Sequence, residues 1–259
     1  MKKTYLALAA GVSIFAAAAV AMGGNGQSAH IDNSWFNSGA DELRQLPADL
    51  AVLRPTQHSH DYAKIRHYSE NDTLARTMGR NVTLRQVIGE AYDCAPAQVI
   101  LPDDAPQGRF DFLVTTSGDA REQLRNLIQT EFHYTANPEI QNVEVFTLTV
   151  SNPALPGFAV SATDETSDVN YAGGRLYFTH QPVSRIIDGL SQGLNRLVLD
   201  QTGLTNNYDY SFTWNHDIGK AMENSQWGAD GVRKALANRG LALESGNIST
   251  NMYVVTRTQ

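Results

Sequence analysis

The chain has 259 residues, of which 42% are hydrophobic and 18% are charged, and its formal net charge is -7 at pH 7. This composition predicts a globular protein with one large or two small cores and excludes an intrinsically disordered chain. The acidic balance argues against nucleic acid and anionic membranes as general partners.

The start of the chain has the pattern of an export signal. Lys2 and Lys3 precede an apolar, alanine-rich stretch, and Ala19-Val20-Ala21 forms a small-residue cleavage sequence. We therefore predict a signal peptide at residues 1–21, with retention as a membrane anchor as the alternative. No later segment approaches the roughly 20 apolar residues that cross a bilayer, so no transmembrane segment is expected after the signal is removed. The expected location is the periplasm or the extracellular space.

The single cysteine limits the covalent chemistry of the chain. A protein with Cys94 alone cannot form an intrachain disulfide, even though export would permit one. Cys94 follows Ala91 and Tyr92 at the end of a helical pattern, which favours a buried, inert thiol over a reactive one.

The remaining chain divides by composition into four parts. Residues 22–45 are polar and small apart from Trp35-Phe36, and we expect them to be flexible. Residues 46–150 form a first α+β module and residues 175–259 a second, since both alternate strand patterns with amphipathic helices. Residues 151–174 hold two prolines and an acidic run, which is typical of a linker or a long surface loop.

Strands and amphipathic helices alternate along the first module. Strands are predicted at 50–55, 64–68, 73–82, 99–101 and 110–115, and a closing hairpin at 134–140 and 143–150. Two helices are predicted from apolar residues three and four positions apart, which are Leu84, Val87, Ile88 and Ala91 in one and Leu124, Leu127, Ile128 and Phe132 in the other.

The second module repeats this order about a hundred residues later. The apolar positions of the first helix recur 99 residues on, at Val183, Ile186, Ile187 and Leu190. Tyr208-Asp209-Tyr210 follows Phe110-Asp111-Phe112 at an offset of 98, and a later rise of the offset to 108 indicates an insertion at 215–231. We predict an α+β fold of two tandem βαββαββ modules, each a mostly antiparallel sheet covered by two helices. Identity between the copies is sparse, so chance similarity is the alternative.

Several short stretches of the chain are similar to one protein family. They are residues 80–85, residues 108–111, and VLDQTGLT at 198–205 followed by Tyr208-Asp209-Tyr210. From Leu50 to its C-terminus the chain resembles the soil-associated protein family, an exported bacterial family with a domain of unknown function. This resemblance implies export but no activity and no functional residues. The second module is also similar in pattern to the short N-terminal domain of secretins and TonB-dependent receptors, a module for docking and signalling.

One motif of nucleophilic catalysis occurs in the chain. Residues 189–193 read G-x-S-x-G, and Ser191, Asp209 and His216 stand in the order of a hydrolase triad. A nucleophile elbow needs a strand directly before the serine, whereas Ser191 lies within a helical pattern. We therefore predict a structural serine and assign no catalytic residue.

Histidines form the one cluster with the composition of a metal site. His58 and His60, in the sequence HSHD, would place both imidazoles on one side of an extended strand, with His67 nearby. No third ligand and no paired cysteines accompany them, so exposed histidines are favoured over a zinc or copper site. The chain has no phosphate-binding or dinucleotide-binding motif, and no cofactor is expected.

These observations predict an exported, non-enzymatic binding or adaptor protein of the cell envelope that recognises a protein or peptide. We expect the contact to use sheet edges or the insertion at 215–231. One alternative is an extracytoplasmic hydrolase or metal-binding enzyme, and another is a structural component of the envelope. The oligomeric state does not follow from the sequence.

Overall fold

The computed structural model describes residues 31–59, 61, 63–70, 73–116, 118–162, 167–172, 175–213 and 228–258. In these parts the chain is an α+β protein with mostly antiparallel sheets, as predicted. None of the described helices is long and apolar enough to cross a membrane. The predicted signal peptide and most of the predicted insertion, residues 215–227, lie outside the described residues.

Strands and helices alternate along the described chain. The strands are β1 Leu50–Pro55, β2 Lys64–Glu70, β3 Thr73–Thr83, β4 Val99–Ile100, β5 Arg109–Thr115, β6 Tyr134–Val150, β7 Phe158–Val160, β8 Asp168–Ala172, β9 Arg175–Pro182, β10 Val198–Asp200, β11 Asn207–Thr213 and β12 Leu241–Arg257. The α-helices are α1 Ala40–Leu43, α2 Leu84–Tyr92, α3 Ala120–Phe132, α4 Ser184–Leu194 and α5 Ala229–Ala237, and 3₁₀ helices span Asn33–Asn37 and Pro96–Gln98. One compact unit comprises the chain up to Val82 with Gly108–Gln123, and the other comprises Thr83–Gln107 with Leu124–Gln259.

The first unit is built on a four-stranded sheet, sheet A, with the order β1-β5-β3-β2. β1 and β5 run antiparallel, and Leu53 lies opposite Phe112. Both faces of β5 are buried along almost its whole length. Gly79 on β3 makes this close packing possible, because a Cβ at that position would overlap the ring of Phe112.

Residues 31–47 pack on sheet A and form a segment that we call the strap. Its Phe36 and Leu43 have no exposed surface. They belong to an apolar cluster that also contains Leu50, Met78 and Leu113. The sequence predicted a flexible segment at 22–45 because polar and small residues dominate it. The difference arises because two apolar side chains find a matching apolar face on sheet A, and burial of such side chains is favourable.

Local sequence accounts for the ends of two helices in the second unit. α2 begins at a capping box, in which Thr83 Oγ1 accepts the N–H of Gln86 and the Gln86 side chain accepts the N–H of Thr83. α2 ends at Asp93 with φ +54, and α4 ends at Asn195 with φ +50. Aspartate and asparagine adopt this left-handed geometry more readily than most residues, so both helices stop there.

The longest strands of the second unit, β6 and β12, form a two-stranded ribbon. They pair antiparallel along all 17 residues of each strand. They are the centre of sheet B, whose order is β10-β6-β12-β4. β10 runs parallel to β6 only at 146–148, and β4 runs parallel to β12 only at 253–254. Each of the two predicted modules, 46–150 and 175–259, therefore contributes a short strand beside the long strand of the other. The boundaries of the two compact units differ from the boundaries predicted for these modules.

Sheet C of the second unit has the order β7-β11-β9-β8. The predicted linker at 151–174 contains β7 and β8, so pairing with neighbouring strands orders part of it. Tyr208 and Tyr210 on β11 are buried. Their cluster includes apolar residues of α4 and α5, which are Ile186, Leu190, Val232 and Leu236. This face of sheet C is therefore covered by those two helices.

Sheets A and C have the same topology, since β1-β5-β3-β2 corresponds strand for strand to β7-β11-β9-β8. In sheet B, Val99 pairs with Tyr253 and Val198 pairs with Phe146. Val198 follows Val99 by 99 residues, and Tyr253 follows Phe146 by 107. In the middle of the ribbon, Asn142 lies opposite the residue 107 positions later, Ser249. A duplication would produce these matches, and the one inferred from the spacing of the helices stays a prediction.

Candidate functional site

A buried carboxylate on sheet A collects hydrogen bonds from two parts of the first unit, the loop after β1 and strand β3. Asp111 on β5 has no exposed surface. Its Oδ1 accepts from Thr56 Oγ1 at 2.7 Å and from the backbone N–H of Asn81 at 2.9 Å. Its Oδ2 accepts from the backbone N–H of Gln57 at 2.9 Å and lies 2.9 Å from Nδ1 of His58. Each oxygen therefore has two partners, which offset the cost of burying the charge.

These contacts keep Asp111 ionised. Burial alone raises the pKa of a carboxyl group, because it disfavours the charged form. In Asp111 the four hydrogen bonds outweigh burial, and its pKa lies below the ordinary value of 3.8. An ionised carboxylate beside Nδ1 of His58 holds the proton on that nitrogen and leaves Nε2 able to accept one. This is half of a general-base arrangement, and in the described chain no hydroxyl or thiol is hydrogen-bonded to Nε2.

His58 also contacts the strap. Its ring centroid lies 5.7 Å from that of Phe36. The guanidinium of Arg54 lies 4.8 Å from the centroid of the Phe36 ring, and Arg54 is paired with Asp111 across β1 and β5. The side chain of His58 is 12% exposed. One imidazole therefore joins the buried carboxylate to the segment that covers sheet A.

The second unit contains a partial counterpart of this cluster at Asp209. Ser161 Oγ donates to Asp209 Oδ1 at 2.7 Å, and the backbone N–H of His180 donates to the same oxygen at 2.8 Å. His180 has φ +51 and Asn81 has φ +53, so the two main-chain donors share a left-handed geometry. Asp209 follows Asp111 by 98 residues, and His180 follows Asn81 by 99. The hydroxyl, the left-handed donor and the carboxylate are thus a repeated structural element.

The sequence of the second unit has no histidine at the position that corresponds to His58. Ser161 follows Thr56 by 105 residues, and the same offset relates His58 to Thr163, which is outside the described residues. A threonine cannot supply an imidazole. The shared contacts tie a hydroxyl after β1 or β7 and a main-chain N–H of β3 or β9 to an aspartate, and His58 adds an imidazole to the cluster of the first unit. His58 is therefore the candidate functional residue. The offset between the two aspartates could have identified it, because aligning the two units by that offset shows a histidine in the first unit only.

Ser191 lies inside α4, where the sequence predicted a structural serine. It is 8% exposed, and its Oγ accepts the backbone N–H of Val198 at 3.1 Å. The hydroxyl therefore ties the start of β10 to the helix. Asp209 is engaged by Ser161 and His180, and His216 is outside the described residues. The described residues bring no catalytic triad together at Ser191.

The histidines considered as metal ligands are not brought together in the described chain. His58 is bound through Nδ1 to Asp111, and His67 lies on β2 opposite Thr77. His60 is outside the described residues. Among the described residues, no group of three or more His, Cys, Asp or Glu side chains could hold a metal ion.

The middle of the ribbon forms an exposed surface in the second unit. Residues 137–144 of β6 and 244–251 of β12 are exposed or half-exposed, and Ile140 is 76% exposed. β10 pairs with β6 and β4 pairs with β12 outside these two segments. Among the described residues, no third strand therefore pairs with the outer edge of either segment. The segments carry three acidic residues and no lysine or arginine, the acidic residues being Glu139, Glu144 and Glu244. The sequence predicted contact through sheet edges but not which edge stays open, since that depends on long-range pairing.

Comparison with known proteins places the chain in a family. No curated protein and no solved structure matches it. The family model described as "Protein of unknown function (DUF3738)" matches residues 85–258. Asp111 and the ribbon lie within the match, whereas His58, Asn81 and the strap precede it. The chain therefore belongs to the DUF3738 family of proteins of unknown function.

Proposed function

We propose that this protein is an exported binding or adaptor protein that holds an extended segment of another cell-envelope protein along the ribbon. The signal pattern at residues 1–21 and the resemblance to the exported soil-associated family support the location. The open edges in the middle of the ribbon support the binding role, and this observation carries the proposal.

The edges of the middle segments fit the addition of a strand. An unpaired edge offers a row of backbone N–H and C=O groups, which an extended peptide can pair with. β4 and β10 already add to the ends of these edges as short parallel strands. A partner segment would extend the sheet in the same way.

The edge of β12 fits a partner better than the edge of β6. The β6 segment contains Pro138 and Glu139, and proline and charge protect an edge against pairing. Residues 244–251 contain one charged residue, Glu244, and no proline. A Cβ at Gly246 would meet no atom within 4 Å, so the backbone there is open to approach. The partner segment is therefore expected along β12.

The charge of the ribbon indicates a basic partner segment. Its three glutamates have no lysine or arginine beside them within 137–144 or 244–251. Arg196 forms an ion pair with Glu144 and Arg233 donates to Ser245, so the unbalanced negative charge of the ribbon lies at Glu139 and Glu244. Opposite charge on a partner speeds the encounter and excludes acidic competitors.

Site-specific photocrosslinking tests this proposal. A photoreactive amino acid is placed at Asn247 or Ile140 in the ribbon, and at Asp188 on α4 as a control, since all three are exposed. In the producing cells, both ribbon positions are expected to give adducts with the same envelope protein, and the control is not. Adducts from the control alone, or none from the ribbon, would contradict the proposal.

The hydrolase alternative rests on the His58 and Asp111 pair. It predicts turnover in a broad esterase and peptidase screen of the purified protein. Turnover that is lost in His58→Ala and kept in Ser191→Ala would favour this alternative. Loss in both variants would require comparison of their folded fractions, because Ser191 holds β10.

A further inference from the structure

The hydrogen bonds that leave the ribbon show which of its backbone groups face outwards. In an antiparallel pair, residues alternate between pairs that bond to each other and pairs whose N–H and C=O groups point away. On β6 the N–H of Phe146 donates to the carbonyl of Leu197 at 2.9 Å, and the carbonyl of Leu148 accepts from the N–H of Gln201 at 2.9 Å. The register of β6 and β12 runs without a shift. Even-numbered residues of β6 and odd-numbered residues of β12 therefore direct these groups outwards.

The outer edge of β12 is occupied at both ends of the exposed middle. The carbonyl of Leu243 accepts from Arg233 Nε at 3.1 Å, which agrees with the outward direction of odd-numbered residues. At the other end, Tyr253 pairs with Val99 of β4. In the described chain, no strand pairs with the outer edge of the four outward residues between these two ends. These residues form what we call the open row, and they are Ser245, Asn247, Ser249 and Asn251.

The outer edge of β6 lacks one of the donors that β12 has. Pro138 is an even-numbered residue of β6, so its nitrogen, which carries no hydrogen, faces outwards. The residue 107 positions later is Ser245, which supplies an N–H at the start of the open row. Proline at such a position keeps the edge of a natural sheet unpaired. The backbone register is thus an independent reason for binding at β12.

A strand on the open row would meet a different set of side chains on each face of the ribbon. On one face lie the small polar side chains of the open row itself. On the other face lie Glu244, Gly246 and Ile248, because side chains alternate along a strand. A Cβ at Gly246 would meet no atom within 4 Å, and a large side chain on a neighbouring strand fills the gap that a strand glycine leaves. Glu244 is exposed, and a basic side chain beside it forms a favourable cross-strand pair.

We propose that the ribbon selects strands in which a basic residue and a large apolar residue are separated by one position. The large side chain lies over Gly246, next to Ile248, and the basic side chain lies beside Glu244. The outward backbone groups of the open row hold the strand. This inference rests on the function proposed above and specifies the partner as an extended peptide segment with this alternating pattern.

Selection from a library of random displayed peptides tests the pattern. The immobilised protein is expected to enrich peptides with a lysine or arginine two positions from an aromatic residue, leucine or methionine. Glu244→Lys should change the preference at the charged position to aspartate and glutamate. Gly246→Val should remove the enrichment of large apolar residues, because its own side chain fills the gap. Enriched peptides without this spacing, or an unchanged pattern with Glu244→Lys, would overturn the proposal.

Proline substitutions test the edge separately from the pattern. Asn247→Pro removes an outward N–H of the open row and should weaken the binding of an enriched peptide roughly five-fold. Asn142→Pro is the matched control and should leave binding unchanged, because it removes an outward N–H from the edge of β6. Neither substitution removes a hydrogen bond between β6 and β12. Pro138 shows that the ribbon accommodates proline at an outward position, and circular dichroism measures the folded fraction of both variants.

The outcomes distinguish this inference from the proposed function. If Asn142→Pro weakens binding and Asn247→Pro does not, the ribbon binds a strand through β6 and the inference is wrong. Ser249→Pro provides the same comparison if Asn247→Pro lowers the folded fraction. If the wild type enriches no peptide while the ribbon still gives adducts with an envelope protein, the proposed function stands and this inference is overturned. Neither peptides nor adducts would overturn both.

Discussion

Nδ1 of His58 lies 2.9 Å from Oδ2 of Asp111, although 53 residues separate them in the chain. The contact connects the loop after β1 to a fully buried position on β5, and through Phe36 to the strap. The related carboxylate of Asp209 shares the hydroxyl and main-chain donors but has no histidine at the corresponding sequence position. The two carboxylates can therefore be compared within one chain.

Replacing Asp111 should destabilise the protein more than replacing Asp209. Asp111→Asn puts an amide NH₂ among buried donors, and we expect a loss of about 3 kcal/mol in the free energy of unfolding. Asp209 is half-buried, so Asp209→Asn should cost about 1 kcal/mol. Urea unfolding followed by fluorescence measures both losses. An equal or larger loss for Asp209→Asn would show that burial does not determine the effect.

Acid should remove the stabilisation that Asp111 provides. The pKa of Asp111 is lower in the folded protein than its ordinary value of 3.8. Its contribution is therefore fully present above that ordinary value and is lost as the pH falls through the lower, folded pKa. The urea midpoint of the wild type should drop steeply below about pH 4, and that of Asp111→Asn less steeply. Parallel curves for the two proteins would assign the acid sensitivity to other groups.

Replacement by alanine should change the free energy of unfolding in opposite directions at two glycines, Gly79 and Gly189. A Cβ at Gly79 would overlap the Phe112 ring, so Gly79→Ala should lower the free energy of unfolding by about 2 kcal/mol or more. A Cβ at Gly189 in α4 meets nothing within 4 Å, and Gly189→Ala should stabilise the helix by up to about 1 kcal/mol. Thermal unfolding of both variants checks the pair. A neutral Gly79→Ala would mean that Phe112 can move aside.

Cys94 should react slowly with thiol reagents. Burial, with a further effect from Asp93, raises the pKa of Cys94 to about 11. At pH 8 its thiolate fraction is then on the order of 100-fold below that of an ordinary cysteine. Alkylation by iodoacetamide, followed by mass spectrometry of native and urea-unfolded protein, measures the difference. Equal rates in the two states would show that the thiol is not protected.

Short-range features of this protein were predictable because neighbouring residues decide them. The spacing of apolar residues predicted α2 and α4, and the position of Ser191 within that spacing excluded a nucleophile elbow at this serine. The equal offsets of the two helix faces and of the two aspartates also indicated related units. In the folded chain, Asp111 and Asp209 each accept from a hydroxyl and from a left-handed main-chain donor.

The sequence by itself determined the α+β class, the helices and the aspartates that recur at a nearly constant offset, because these depend on periodicity and on residues close in the chain. Only the tertiary structure decided that β4 pairs with β12 and β10 with β6, that residues 31–47 are ordered, and that His58 reaches Asp111. These features join segments far apart in sequence. Their stability comes from burial and hydrogen bonds that exist only when the chain is folded.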